Sequence, residues 1–288
     1  MIALRWAEAG ERGRIQAYLA DRMGKIPFER WANILDCRWT PGEDRYGVVV
    51  MRDGELAGFL GIVFADRVIR GKTRRTGNIT SWFVEKDLRR GGLGQDMLAL
   101  VTSPENVTYT ATSPNIRSGS LLAKIGWHLM EDRRLCWDRT GDPATAAVIA
   151  LGGMDAAADA AGLSAAERRI LADHRGLKAQ AHILDAGAEG RCLLVSYVKL
   201  KGDDIAHHEI LHAGDRALLA RHVRTYANAV LPREKAVLSL DARLVAPGAA
   251  ADRETALEIS RYFRPHDLRA ADIDFLYSEV LLLDLKLY

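Results

Sequence analysis

Trp82-Phe83-Val84-Glu85-Lys86-Asp87-Leu88-Arg89-Arg90-Gly91-Gly92-Leu93-Gly94-Gln95-Asp96-Met97-Leu98 reads as a strand, a short basic turn and the opening of an amphipathic helix. Gly91, Gly92 and Gly94 let the backbone turn tightly with no β-carbons in the way, so successive N–H groups can face one concavity. The helix that starts there adds its own unpaired N–H groups and the positive end of its dipole, a combination that favours a phosphate or diphosphate. Arg89 and Arg90 put further positive charge on the turn. The plainer alternative is a glycine-rich strand-to-helix turn used only for close packing.

Two common phosphate motifs do not fit. A P-loop needs Lys followed by Ser or Thr after its last glycine, and Gly94 is followed by Gln95. A dinucleotide fingerprint needs Gly-x-Gly-x-x-Gly within a parallel unit, and that spacing is absent. What remains is Arg89-x-x-Gly92-x-Gly94, which resembles the diphosphate-binding turn of the GNAT acyltransferase superfamily. Downstream, Glu105 to Thr112 reads as a strand. It is followed by Asn115-Ile116-Arg117-Ser118-Gly119-Ser120-Leu121-Leu122-Ala123-Lys124-Ile125-Gly126-Trp127, similar to the second signature of that family. Gly126 suits the left-handed residue that ends a helix before a strand.

The upstream pattern agrees. Ile2 to Ala7 is a short strand, Glu11 to Met23 and Phe28 to Leu35 carry helical spacing, and Tyr46 to Met51 and Leu56 to Ala65 are strands joined across Asp53-Gly54, a hairpin signal. Thr76 to Val84 then feeds the glycine turn. The predicted fold class is α/β (α+β), a GNAT-like mixed and mostly antiparallel sheet with flanking helices. The resemblance implies a GNAT-like acyl-CoA-binding domain over residues 1–139, and the pattern predicts a linker region over residues 140–163 and a second α/β domain over residues 164–288.

In that second part, Ser164-Ala165-Ala166-Glu167 is a capping box and Gly176 closes its helix. Strands are predicted at Ala181 to Leu184, Cys192 to Leu200, Ile205 to Ala213 and Ala236 to Val245, with a helix capped by Asp215 between the last two. The order suggests a degenerate GNAT-like repeat whose phosphate turn is lost, since Gly214-Asp215-Arg216-Ala217-Leu218 lacks Gly-x-Gly and carries an acid. An unrelated α+β domain is the alternative.

The resemblance implies acetyl-CoA or another acyl-CoA as co-substrate and an amine of a small molecule or sugar as acceptor. It implies cofactor contacts from Phe83, Val84, Arg89, Arg90, Gly91, Gly92, Leu93, Gly94, Asn115 and Ser118, with the Val84 N–H polarising the thioester carbonyl. Two roles lack an obvious residue. The motif strand, Gly77-Asn78-Ile79-Thr80-Ser81, carries no Glu as general base, and the usual Tyr acid falls on Leu122. Glu85 and Tyr109 are candidates for the vacant roles, as are His207 and a water chain through Asn78, Thr80 or Ser81. Arg30, Trp31, Trp39 and Arg45 are candidates for lining the acceptor cleft. A non-catalytic acyl-CoA sensor or scaffold stays open as an alternative.

One motif competes. His208-Glu209-Ile210-Leu211-His212 is a formal zinc-hydrolase His-Glu-x-x-His, but that motif works only on a helix and this stretch reads as a strand. No metal is expected. The 40 basic and 38 acidic residues of this 288-residue chain leave a net charge of +2, giving no case for nucleic acid or a membrane surface as partner. No apolar run is long enough to span a bilayer, the N-terminal residues lack a signal-peptide core, and three scattered cysteines suggest free thiols. A cytoplasmic monomer or homodimer is the expectation.

Overall fold

In the computed structural model, which describes residues 1–89 and 91–288, the first half of the chain runs β1 (Ile2–Trp6), α1 (Arg12–Arg22), α2 (Phe28–Leu35), β2 (Gly47–Arg52), β3 (Glu55–Ile69), β4 (Lys72–Val84), α3 (Leu93–Val101), β5 (Val107–Ala111), α4 (Ile116–Lys124) and β6 (His128–Trp137). The second half continues with β7 (Ala147–Gly153), α5 (Met154–Ala158), α6 (Ala165–Asp173), β8 (Gln180–Asp185), β9 (Arg191–Lys201), β10 (Ile205–Ala213), α7 (Arg216–Val230), β11 (Ala236–Asp241), β12 (Arg253–Arg264) and α8 (Glu279–Leu282).

The chain divides into two compact units. The first comprises residues 1–130, 261–269 and 277–287, and the second residues 131–260 and 270–276 together with Tyr288. In the first unit the strands lie in the order β1-β2-β3-β4-β5, antiparallel throughout except for the parallel β4–β5 pair, and β5 is closed on its far side by Tyr262–Arg264 of β12 running antiparallel. In the second unit the order is β7-β8-β9-β10-β11, again antiparallel except for the last pair, and β11 is closed antiparallel by Arg134–Trp137 of β6. The second unit thus repeats the strand order and directions of the first. Each unit takes its final strand from the other half of the sequence.

Local chemistry accounts for most element ends. At the β2–β3 hairpin both Asp53 and Gly54 adopt positive φ, at 51° and 87°, and Arg52 pairs with Glu55, the two-residue turn whose twist matches its flanking strands. Asn115 caps α4 by accepting from the N–H groups of Arg117 and Ser118, both at 3.0 Å, and Gly126 ends it at φ 85°. Ser164 and Glu167 form the expected reciprocal cap on α6. The core of the first unit packs Val48, Val50, Leu60, Ile62 and Phe64 of β2 and β3 against Met97, Leu98 and Val101 of α3 and Leu122 of α4.

Two features depart from the sequence reading. Residues 140–163, expected as a linker, contain β7 and α5; the Gly152–Gly153 pair and the run of alanines conceal a strand that pairs with β8. After residue 260 the chain does not stay wholly with the second unit, because Arg261–Arg269 and Tyr277–Leu287 belong to the first.

Candidate active site

The site begins where two ladders part. β4 pairs with β5 from Arg75 to Asn78, and among the described residues that ladder does not continue along Ile79–Val84. Against β3, Phe59 faces Phe83 and Gly61 faces Thr80, so Leu60 stands opposite two residues, Ser81 and Trp82. This is a β-bulge, with Ser81 at φ 53°, and it re-aims the strand at the point where its neighbour splays away. A cleft opens along the freed edge. Its outer part is lined by Trp82, Phe83, Val84, Arg89, Gly94, Asn115, Ser118 and Leu121, together with Arg22 to Ile26 between α1 and α2. Its inner part is a cavity of about 250 Å³ walled by Trp31, Leu60, Ile79, Leu122 and Leu283, with Thr80, Ser81 and Ser113 as its polar margin.

The glycine turn sits at the outer end. Gly91 and Gly92 have φ of 90° and 87°, which side-chain-bearing residues rarely adopt. Gly92 is the N-cap of α3 and supplies no side-chain cap, leaving the first N–H groups of the helix to an external acceptor. Arg89 folds back, its Nε donating to the Val84 carbonyl at 2.8 Å and its guanidinium lying 5.4 Å from the Phe83 ring centre. The corresponding helix of the second unit, α7, is capped by Asp215, whose carboxylate accepts from Ala217 and Leu218 N–H groups, both at 2.9 Å. An acid built into that turn occupies the place an anion would take.

Of the residues implied as cofactor contacts, Phe83, Val84, Arg89, Gly94, Asn115 and Ser118 line this cleft. Gly91, Gly92 and Leu93 form the turn beside it. Arg90 lies outside the described residues. Asn115 and Ser118 are largely committed to each other through the reciprocal cap of α4.

The expected catalytic side chains are placed differently. The Glu85 carboxylate accepts from Arg22 Nε at 2.8 Å and from the Tyr18 hydroxyl at 3.4 Å, and it does not line the cleft. Tyr109 is buried, its hydroxyl donates to the Pro104 carbonyl at 2.7 Å, and burial pushes its pKa up to about 12. It borders a separate depression with Thr102 and Arg264. Among the four acceptor-site candidates Trp31 alone lines the cavity, while Arg30 pairs with Asp284 at 2.8 Å, Trp39 packs edge-on against Tyr277 and Arg45 holds Glu43.

A buried carboxylate escaped the sequence reading. Glu279, at 1% exposure, accepts from the Thr112 hydroxyl at 2.9 Å and from the Ser113 hydroxyl. Its backbone N–H donates to Asn78 Oδ1 at 3.0 Å, and Asn78 Nδ2 donates to the hydroxyls of Thr110 and Thr112. Burial holds its carboxyl above the usual carboxylate range, opposed first by the bonds from Ser113 and Thr112 and last by the charge of Arg261. The signal was legible as a lone acid inside Phe275-Leu276-Tyr277-Ser278-Glu279-Val280-Leu281-Leu282-Leu283.

The zinc-hydrolase alternative is overturned by the backbone. His208-Glu209-Ile210-Leu211-His212 lies on β10, where His208 and Glu209 point to opposite faces, so the two imidazoles and the acid cannot converge as one helix turn would make them. Glu209 is held by Lys201 at 2.7 Å and Arg134 at 3.3 Å, and His212 Nδ1 is bonded to Asp274 at 2.7 Å. His207 lines a depression of the second unit with Arg134 and Lys235, where desolvation pushes its pKa down to about 4.

A strand that bulges beside a helix start without a side-chain cap, joined to it by a glycine turn, is the geometry of this site. Residues 15–126 match the model of the acetyltransferase (GNAT) family. Solved structures with the same fold include the GCN5-related N-acetyltransferase of Kribbella flavida, 13% identical over 92% of this chain and 71% of that one with a TM-score of 0.60. Another is the GCN5-related N-acetyltransferase of Anabaena variabilis, 11% identical over 92% and 72%, TM-score 0.57. A third is Eis1 of Mycobacterium abscessus, 11% identical over 91% and 73%, TM-score 0.52. At such identities the likeness carries the fold alone. No curated protein matches the chain by sequence.

Proposed function

We propose that the chain transfers an acyl group, acetyl in the simplest case, from an acyl-CoA to the amine of a small molecule. The observation that carries this reading is the continuity of one cleft from the uncapped start of α3, along the freed edge of β4, to the cavity beneath Ser113. The diphosphate rests on the N–H groups of the glycine turn. The pantetheine arm runs along Phe83 and Val84, bonding the main chain that β5 leaves unpaired. The thioester reaches the bulge, where main-chain N–H groups stabilise the oxyanion. Holding amine and thioester in one pocket supplies much of the rate.

The inner cavity is small and its walls are apolar side chains, a lining that suits an aromatic or aliphatic amine better than a sugar. Its lining residues include no titratable side chain, which favours a second reading as a non-catalytic acyl-CoA sensor. Calorimetry with coenzyme A tests the binding that both readings share. Release of free thiol from acetyl-CoA on addition of amines such as 2-phenylethylamine separates them, and an amine panel that leaves acetyl-CoA intact would favour the sensor.

A further inference from the structure

In the first unit a hydrogen bond runs from the wall of the cavity to a carboxylate sealed from solvent. Ser113 lines the cavity and its hydroxyl donates to Glu279 Oε1. Thr112 donates to both carboxylate oxygens, at 2.9 Å each, so every bond the carboxylate accepts from these neighbours comes from a neutral hydroxyl. A structural carboxylate at 1% exposure would ordinarily bond directly to a cation, because an unpaired buried charge is costly. Here the nearby buried Arg261 donates instead to the Thr112 carbonyl at 2.6 Å. We propose that Glu279, acting through the Ser113 hydroxyl, accepts the proton that the incoming ammonium must lose. This rests on the acyl-transfer reading above and supplies the base that the cavity walls lack.

The step balances as follows. The ammonium gives one proton to the Ser113 oxygen while the Ser113 hydroxyl proton passes to Glu279. The neutral amine then attacks the thioester carbon, the C–N bond forms, and the C–S bond breaks with its electron pair leaving on sulfur. The thiolate takes a second proton from the nitrogen, and Glu279 returns its proton to solvent through the same hydroxyl. Glu279 is in this scheme a positioning residue that holds the proton, and Ser113 is the group that touches the amine. Burial, which pushes the carboxyl up, brings its basicity closer to what such a transfer requires. The charged group facing it is Arg261, from β12; Asn78 of β4 and Thr112 and Ser113 after β5 do not titrate.

The test uses the full chain, acetyl-CoA, and either 2-phenylethylamine or water as nucleophile, with release of thiol followed across pH. Glu279→Gln preserves the shape and can still accept from Thr112 and Ser113. It is expected to lower kcat by about 100-fold or more, to leave coenzyme A affinity within about 3-fold, and to remove the acid limb of the kcat/KM profile. Ser113→Ala should lose a similar factor and Ser113→Thr, which keeps a hydroxyl, should restore most of it. Because Ser113 is partly exposed, its pair of variants remains informative if Glu279→Gln does not fold. Turnover in Glu279→Gln or Ser113→Ala within 3-fold of the parent, with the same acid limb, would overturn the proposal. A parent protein that binds coenzyme A yet releases no thiol to either nucleophile would favour the sensor reading and overturn this proposal with the acyl-transfer reading. Failure to bind coenzyme A at all would overturn the underlying acyl-transfer reading with it.

Discussion

Gly92 and Gly94 do different work within one turn. Gly92 sits at φ 87°, where any L side chain is strained, whereas a β-carbon on Gly94 would only make ordinary contact with Trp82 at 3.6 Å. Gly92→Ala is therefore expected to cost about 1 kcal/mol of stability and Gly94→Ala much less. A larger side chain, as in Gly94→Leu, should leave the melting temperature close to the parent value while weakening coenzyme A binding at least tenfold, a separation that paired thermal melts and calorimetry would reveal. Glu279 predicts a pH signature of the opposite sign to that of the acids held low by arginine partners. Its folded pKa is raised, so its contribution to stability is fully present below the ordinary Glu value and is lost as pH rises through the folded value. Glu11, Glu43 and Asp252 are held low by their arginine partners, so their contributions are lost on acidification. Denaturant midpoints measured from pH 4 to 8 should rise in Glu279→Gln relative to the parent towards the alkaline end, and a constant difference would contradict the assignment.

At the scale of elements, α3 and α7 hold equivalent places in two units of the same strand order and have opposite N-termini. One offers its N–H groups outward from Gly92; the other closes them on Asp215. Asp215→Ala is expected to cost about 1 kcal/mol in unfolding free energy through the lost cap. It should not create a second coenzyme A site, because the Gly-x-Gly turn is also missing; a calorimetric stoichiometry of two would refute this. Elements with strong local signals were legible in the sequence: the Asp53-Gly54 hairpin, the Ser164 capping box and the Gly126 helix end all stand where their chemistry put them. The glycine turn and the strand edge at Phe83 and Val84 were legible for the same reason. β7 was not, since Gly152, Gly153 and alanines give no alternation and its pairing with β8 is decided by tertiary contacts. Nor was the pairing of Ser113 with Glu279, because it spans 166 residues and no local pattern encodes it. Tyr109 and Glu85 were placed on the right strand and turn, but which partner each side chain would find depended on Pro104 and Arg22, which only the fold brings near.

For the whole molecule, the exchange of closing strands makes a domain boundary at residue 139 a poor place to cut. A protein ending there lacks Tyr262–Arg264 beside β5, Glu279 beneath Asn78 and the Leu283 wall of the cavity. Residues 1–139 produced alone should therefore unfold with reduced cooperativity and show no acetyl-CoA turnover; a sharp two-state melt with retained coenzyme A binding would argue against this. Among the described residues no helix is long and apolar enough to cross a membrane. The interleaved connectivity also sets a timetable for synthesis. A ribosome that has finished the glycine turn has made β1 to β4, and β5, made next, keeps a bare edge until β12 emerges some 150 residues later. During that interval the nascent chain exposes a hydrogen-bonding edge that any other strand can claim, so slowing translation of the second half should raise the burden on chaperones well before any finished protein exists.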